Sequence, residues 1–252
     1  MFIIPQRENM QREIHKWNSQ NLHKDMEIAV YGYYGYSLLM FPTSGADFLE
    51  YERFYLIDSI GDFINSGTIK VFSINSTNSE SWMNKNIHPA DKAKRQDEYN
   101  KYIIDEVIPF IKEHCKGEVP IVTAGASLGA FQAANTFFRN PGLFAGCIAM
   151  SGIYDLKHYT GDYFDDTCYF NSPVDYLPGI ENEKILSEMR YKNIIIACGQ
   201  GAYEDPAASR QLSDILHSKN IPHWLDMWGE DMTHDWPTWR KMLPYFLDNI
   251  NI

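Results

Sequence analysis

The run Pro120-Ile-Val-Thr-Ala-Gly125-Ala-Ser127-Leu-Gly129-Ala-Phe-Gln-Ala-Ala-Asn135 decides how the rest of the chain is read. Its opening apolar residues, 121–124, suit a short buried strand, and from Leu128 onward good helix formers follow one another. Between them stands Gly125-Ala-Ser127-Leu-Gly129, a match to G-x-S-x-G. That pattern puts a serine at the apex of a strand-to-helix turn so sharp that its flanking residues must be small. Ser127 then sits at a helix N-terminus, where free N–H groups and the positive end of the macrodipole favour developing negative charge. The Leu128 N–H is a ready oxyanion donor.

Working outward, elements alternate on both sides of this run. Downstream come a turn at Asn140-Pro-Gly, a strand at 145–150, a β-branched strand at 192–198, a helix at 209–218, a strand at 221–228 and a closing amphipathic helix at 237–250. Upstream, apolar spacing predicts a helix over 96–113 with Tyr99, Ile103, Val107 and Phe110 on one side. Residues 75–95, rich in Ser and Asn around Trp82 and His88-Pro89, read as a surface loop. Earlier still lie a strand at 68–74 and one helix over 50–64 that Gly67 ends. The runs 26–32 and 37–41 read as two strands of a hairpin with glycines in its turn, preceded by a polar amphipathic opening. Such alternation predicts an α/β fold with a mostly parallel central sheet and helices on both faces. Sites on such sheets form beyond the carboxyl ends of the strands, where Ser127 is placed.

One stretch breaks the alternation. Residues 154–184 carry Tyr154, Tyr159, Tyr163, Phe164, Tyr169, Phe170 and Tyr176 with several aspartates, and read as a lid or pocket wall inserted into a single domain that spans 1–252. Asp162, Asp165 and Asp166 lack the glycine spacing and closing glutamate of a calcium loop.

Composition excludes several classes. With 252 residues, 44% of them hydrophobic, the chain can bury a large core as one domain. A net charge of −11 and the absence of a basic cluster argue against nucleic acid as a partner. No apolar run reaches membrane-spanning length, and Met1-Phe-Ile-Ile-Pro-Gln-Arg7 lacks the charged-then-apolar order of a secretory leader, so a cytoplasmic location is expected. Cys115, Cys147, Cys168 and Cys198 show no C-x-x-C spacing, and Cys147 and Cys198 lie in strand-like runs as buried free thiols. No metal or cofactor is expected, the partner is a small-molecule ester, and nothing in the sequence indicates a homo-oligomer.

A serine hydroxyl becomes nucleophilic when a histidine takes its proton and a carboxylate orients that histidine. The order expected behind an elbow is serine, acid, histidine. Only His217, His223 and His234 follow the candidate acid loop; His217 falls in a helix and His223 enters a strand, whereas His234 lies in the loop before the last helix. The loop after Cys198 offers adjacent acids, Glu204 and Asp205. Glu204 is preferred because Asp205-Pro206 is also a good helix start, and Asp235 reads as the cap of the last helix. A second oxyanion amide is expected from Ser44-Gly45-Ala46, with Gly45 allowing an unusual backbone there.

These residues carry a resemblance. Phe41-Pro-Thr-Ser-Gly45-Ala, the Ser127 elbow, Cys198-Gly-Gln-Gly201 followed by an acid, and Trp228 leading to His234-Asp-Trp-Pro make the whole chain resemble the esterase-D-like branch of the α/β-hydrolases, which includes S-formylglutathione hydrolases, feruloyl esterases and mycolyltransferases. The resemblance implies an α/β-hydrolase fold and serine esterase chemistry, with Ser127 as nucleophile, His234 as base, and Ala46 and Leu128 as amide donors. Acyl transfer from the same acyl-enzyme and a non-catalytic binding module are the alternatives. The chain departs from the pattern in having Phe-Pro-Thr-Ser where a His-Gly pair is common, and two adjacent acids in the acid loop.

Overall fold

A computed structural model describes residues 10–252; the opening heptapeptide considered above as a leader lies outside them. One eight-stranded sheet holds β1 (Arg12–Ser19), β2 (Lys24–Tyr31), β3 (Tyr36–Phe41), β4 (Ile69–Ile74), β5 (Ile121–Ala126), β6 (Gly146–Met150), β7 (Asn193–Cys198) and β8 (Trp224–Met227). Their spatial order is β1-β2-β4-β3-β5-β6-β7-β8. From β4 to β8 every pairing is parallel; β1 and β2 add an antiparallel edge.

The pleat sends alternate side chains into two separate cores. Leu39, Phe41, Ile121, Cys147 and Ile196 face a layer that contains Tyr102, Ile111, Phe137 and Leu216. Leu38, Met40, Val122, Ile148 and Ile195 face the other layer, with Tyr51, Leu56, Ile60 and the last helix (Trp236–Asn249). Helices therefore cover both faces, which is why the central strands read as unbroken apolar runs. This is the α/β-hydrolase architecture. Among the described residues no helix is long and apolar enough to cross a membrane.

Several sequence expectations are corrected here. The runs assigned to a hairpin do form β2 and β3, but they are not neighbours: β4 lies between them, antiparallel to β2 and parallel to β3. All of β3 beyond Tyr36 is buried, so it needs a partner on each side, and parallel β4 and β5 supply them. The polar opening is β1, whose alternating exposure marks an edge strand. The single helix over 50–64 is three short ones, Glu50–Arg53, Leu56–Ser59 and Gly61–Asn65, broken where Tyr55 takes φ +61°.

The surface loop at 75–95 is largely not at the surface. Ser76, Thr77, Asn78, Ser81 and Trp82 are buried, with Trp82 edge-on to Phe131, and a helix already starts at Pro89 behind the cap His88. That helix (Pro89–Tyr102) opens into a π-type turn at Ile103–Val107 before continuing as Ile108–His114. Pro109 has no N–H to give to the ladder, which accounts for the widened turn ahead of it.

Candidate active site

β5 ends at Ala126, and Ser127 turns the chain with φ +56° and ψ −125° into the helix Leu128–Arg139. A serine in that backbone region stores strain of about 1–3 kcal/mol. What holds it there is packing. A Cβ on Gly125 would stand 2.2 Å from the Gly129 carbonyl oxygen, and one on Gly129 would stand 2.2 Å from the Phe41 carbonyl oxygen. Only glycine lets helix, elbow strand and β3 approach so closely. The Tyr51 hydroxyl, fully buried, ties the same two strands, donating to the Phe41 carbonyl at 2.5 Å and accepting from the Ala126 N–H at 3.2 Å.

Adjacent parallel strands then bring their ends to one edge. The Ser127 N–H donates to the Met150 carbonyl at the end of β6, and the Ser151 N–H donates to the Ala197 carbonyl in β7. His234, in the loop after β8, places Nε2 2.9 Å from Ser127 Oγ and Nδ1 3.2 Å from Glu204 Oε2. Glu204 is shielded from solvent along its whole side chain. Its Oε1 accepts from the Ser151 hydroxyl at 2.7 Å and the Gly199 N–H at 3.2 Å, and the Cys198 thiol approaches Oε2 at 3.5 Å. Burial pushes the Glu204 carboxyl up, but the His234 and Ser151 hydrogen bonds outweigh it and hold the group below the usual carboxylate range. Glu204 is thus a carboxylate, not an acid, at neutral pH.

Of the two adjacent acids, Asp205 does not meet His234. Its Oδ1 accepts from the Ala207 and Ala208 N–H groups at 3.1 and 3.3 Å and caps the helix Pro206–Ser218. Asp235 likewise caps the last helix through the Trp236 N–H. The Leu128 N–H opens its helix with no hydrogen-bond partner among the described residues.

The Ser44–Gly45–Ala46 turn lies beside the elbow, and Ser44 lines the same cleft as Ser127. Gly45 is exposed, its φ is not left-handed and a Cβ there would meet open space, so it does not supply the unusual backbone expected of it. The turn is held from outside instead. Glu50 accepts from the Thr43 N–H at 2.8 Å and the Thr43 hydroxyl at 2.6 Å, Asn78 donates to the Thr43 carbonyl, and Ser76 donates to the Ala46 carbonyl.

Sequence reading missed this supporting set. Ser151 is its clearest case: φ +53°, buried, its hydroxyl shared between Glu204 and the Trp239 indole N–H at 3.0 Å. A serine at a strand end was the one available signal. Glu50 and Tyr51 read as ordinary helix positions, because only the tertiary fold delivers them to the turn and the elbow.

A cleft of about 640 Å³ opens over Ser127 and His234. Ile153 and, from the aromatic insertion, Tyr154, Asp155 and residues 157–159 form one wall, while Met83 and Gln211 contribute others. Further along, Tyr169, Phe170 and Tyr176 line a separate cavity with Phe138 and Arg139.

The model of the Esterase family, described as "Putative esterase", matches residues 50–248. The chain belongs to this esterase family. The chain is accordingly a carboxylic ester hydrolase, and the matched span contains the elbow, the acid loop and the His234 loop. No curated protein matches the chain. Among solved structures it is similar to a ferulic acid esterase (16% identity, 96% of this chain and 99% of that one, TM-score 0.72). An S-formylglutathione hydrolase from Staphylococcus aureus is similar over 98% of both chains, at 16% identity and TM-score 0.70. The fluorophosphonate-binding serine hydrolase F of the same organism is similar at 14% identity over 95% of this chain and 97% of that one, TM-score 0.72. At such identities the esterase fold is what these structures share with the chain.

Proposed function

We propose that this esterase cleaves its substrate through an acyl-serine intermediate, with Ser127 as nucleophile, His234 as general base and acid, and Glu204 as the carboxylate that orients the imidazole. The supporting observation is the unbroken line from Ser127 Oγ through His234 to Glu204. In the first half-reaction, Ser127 Oγ bonds to the ester carbonyl carbon while its proton passes to His234 Nε2. Glu204, ionised and buried, favours the Nδ1–H tautomer and stabilises the imidazolium that forms. The imidazolium then gives that proton to the departing alcohol oxygen as the C–O bond breaks. Water, deprotonated by the same imidazole, releases the acid in the second half.

Negative charge on the carbonyl oxygen would be met by the Leu128 N–H and by an amide of the turn Ser44, Gly45 and Ala46, a pair worth several kcal/mol to the transition state. Ile153 and the first residues of the insertion would act as a pocket wall, with Ile153, Tyr154 and Tyr159 offering apolar surface to the acyl or alcohol group.

The test is hydrolysis of a short p-nitrophenyl ester by wild type and Ser127→Ala. The expected result is a fall of about 10³-fold or more in kcat for the variant; a near-wild-type rate would overturn the assignment of Ser127.

A further inference from the structure

β1 carries a second cluster of chemistry-bearing side chains, on the edge of the sheet and well away from the elbow strand, with β2, β4 and β3 between. Glu13 and His15 are two residues apart on that strand, so both project to the face covered by the helix Ile108–His114. His114, the last residue of that helix, reaches back to them. His15 Nε2 lies 2.9 Å and His114 Nε2 3.1 Å from one atom, Glu13 Oε2, and each of the three residues offers a ligand atom within 4.8 Å of the other two.

The geometry points to a divalent transition-metal site, and we propose that Glu13, His15 and His114 bind Zn²⁺ through these three atoms. Two imidazole nitrogens and one carboxylate oxygen form a borderline set that suits Zn²⁺, with Co²⁺ and Ni²⁺ as substitutes, whereas Mg²⁺ and Ca²⁺ prefer oxygen alone. Tetrahedral ligation at about 2.0–2.2 Å per bond requires donor separations near 3.4 Å, within about half an ångström of the two O–N distances present. The rings are held ready for it. His15 packs edge-on to Phe110 at 5.0 Å, and His114 packs edge-on to Phe72 at 5.7 Å. The second oxygen of Glu13 is engaged by the Gln11 amide at 2.8 Å, which leaves Oε2 as the ligating atom.

Among the described residues a cavity of about 520 Å³ borders Glu13 and His114, with Lys70 and Cys115 also on its wall, and leaves room for water as the fourth ligand. Sequence reading could not see this set, since 101 residues separate Glu13 from His114. Bound metal would pin the edge strand to the helix and stabilise the fold by mass action.

The test uses the full chain, stripped with EDTA and dialysed. Zinc chloride titrated by calorimetry is expected to bind with one-to-one stoichiometry and to raise Tm by about 5 °C at saturation. Co²⁺ is expected to give the visible absorption of a low-coordinate nitrogen–oxygen site. The double variant His15→Gln/His114→Gln, and separately Glu13→Gln, should weaken Zn²⁺ binding at least about tenfold while ester hydrolysis stays at the wild-type rate. Absence of Zn²⁺ uptake by wild type at 100 µM metal (about that order, far above a three-ligand site's need) would overturn the proposal. So would undiminished stoichiometry and affinity in both variants.

Discussion

At the scale of single residues, the adjacent acids Glu204 and Asp205 show how one step along the chain separates two roles. Glu204 faces inward, where it meets His234, Ser151 and the Gly199 N–H; Asp205 faces the first turn of the next helix. Glu204→Gln keeps the shape but favours the wrong imidazole tautomer, and kcat is expected to fall about 10³–10⁴-fold. Asp205 lines the cleft but makes no hydrogen bond to His234, so Asp205→Ala removes a helix cap and leaves the line from Ser127 to Glu204 intact. It is expected to leave kcat within about twofold and to cost about 1 kcal/mol of stability. Steady-state kinetics and denaturant unfolding on the two variants check both statements, and an exchange of the two phenotypes would reverse the assignment.

Secondary-structure elements position the chemistry through contacts that a linear reading cannot contain. The short helix Glu50–Arg53 clasps the turn at 43–46, because Glu50 takes both the amide and the hydroxyl of Thr43. Burial pushes the Glu50 carboxyl up, and the Thr43 hydrogen bonds offset this only in part. A raised native value means that the fold favours the protonated form. The stability it contributes is therefore complete below the ordinary carboxylate range and declines as pH rises through the raised value. Glu50→Gln abolishes that titration, so its Tm relative to wild type should climb between pH 4 and pH 8. A Tm difference that is flat with pH would contradict it.

The central strands and the elbow helix were legible because buried parallel strands leave continuous apolar runs and the elbow leaves two obligatory glycines. The broken helix after Glu50 was not, since Tyr55 carries no composition signal for its left-handed φ. Nor was the place of β4: periodicity reports a strand, while its neighbours are chosen by the sheet as a whole. The segment 75–95 misled for a related reason. Its Ser and Asn side chains look solvent-seeking, yet Asn78 spends its amide and carbonyl on Thr43 and Gln132 inside the fold.

Across the whole molecule, the parallel sheet gathers side chains from positions far apart in sequence at one edge. Ser127 and His234 are 107 residues apart and meet at 2.9 Å. Chain order alone suggested this grouping, because loops after successive parallel strands open on the same side. The structure adds the layer beneath, in which Ser151 and Trp239 steady Glu204 and Tyr51 joins the ends of β3 and β5. It also divides the aromatic insertion: its first residues wall the cleft, and its later aromatics enclose a different cavity.

The claim on which the rest depends is that Ser127 is the activated nucleophile. Intact-protein and peptide mass spectrometry after treatment with a fluorophosphonate probe addresses it most directly. One adduct per chain is expected, located on Ser127, formed together with loss of ester hydrolysis, and strongly slowed by His234→Ala. An unlabelled chain that still hydrolyses esters, or an adduct on any other residue, would contradict the account.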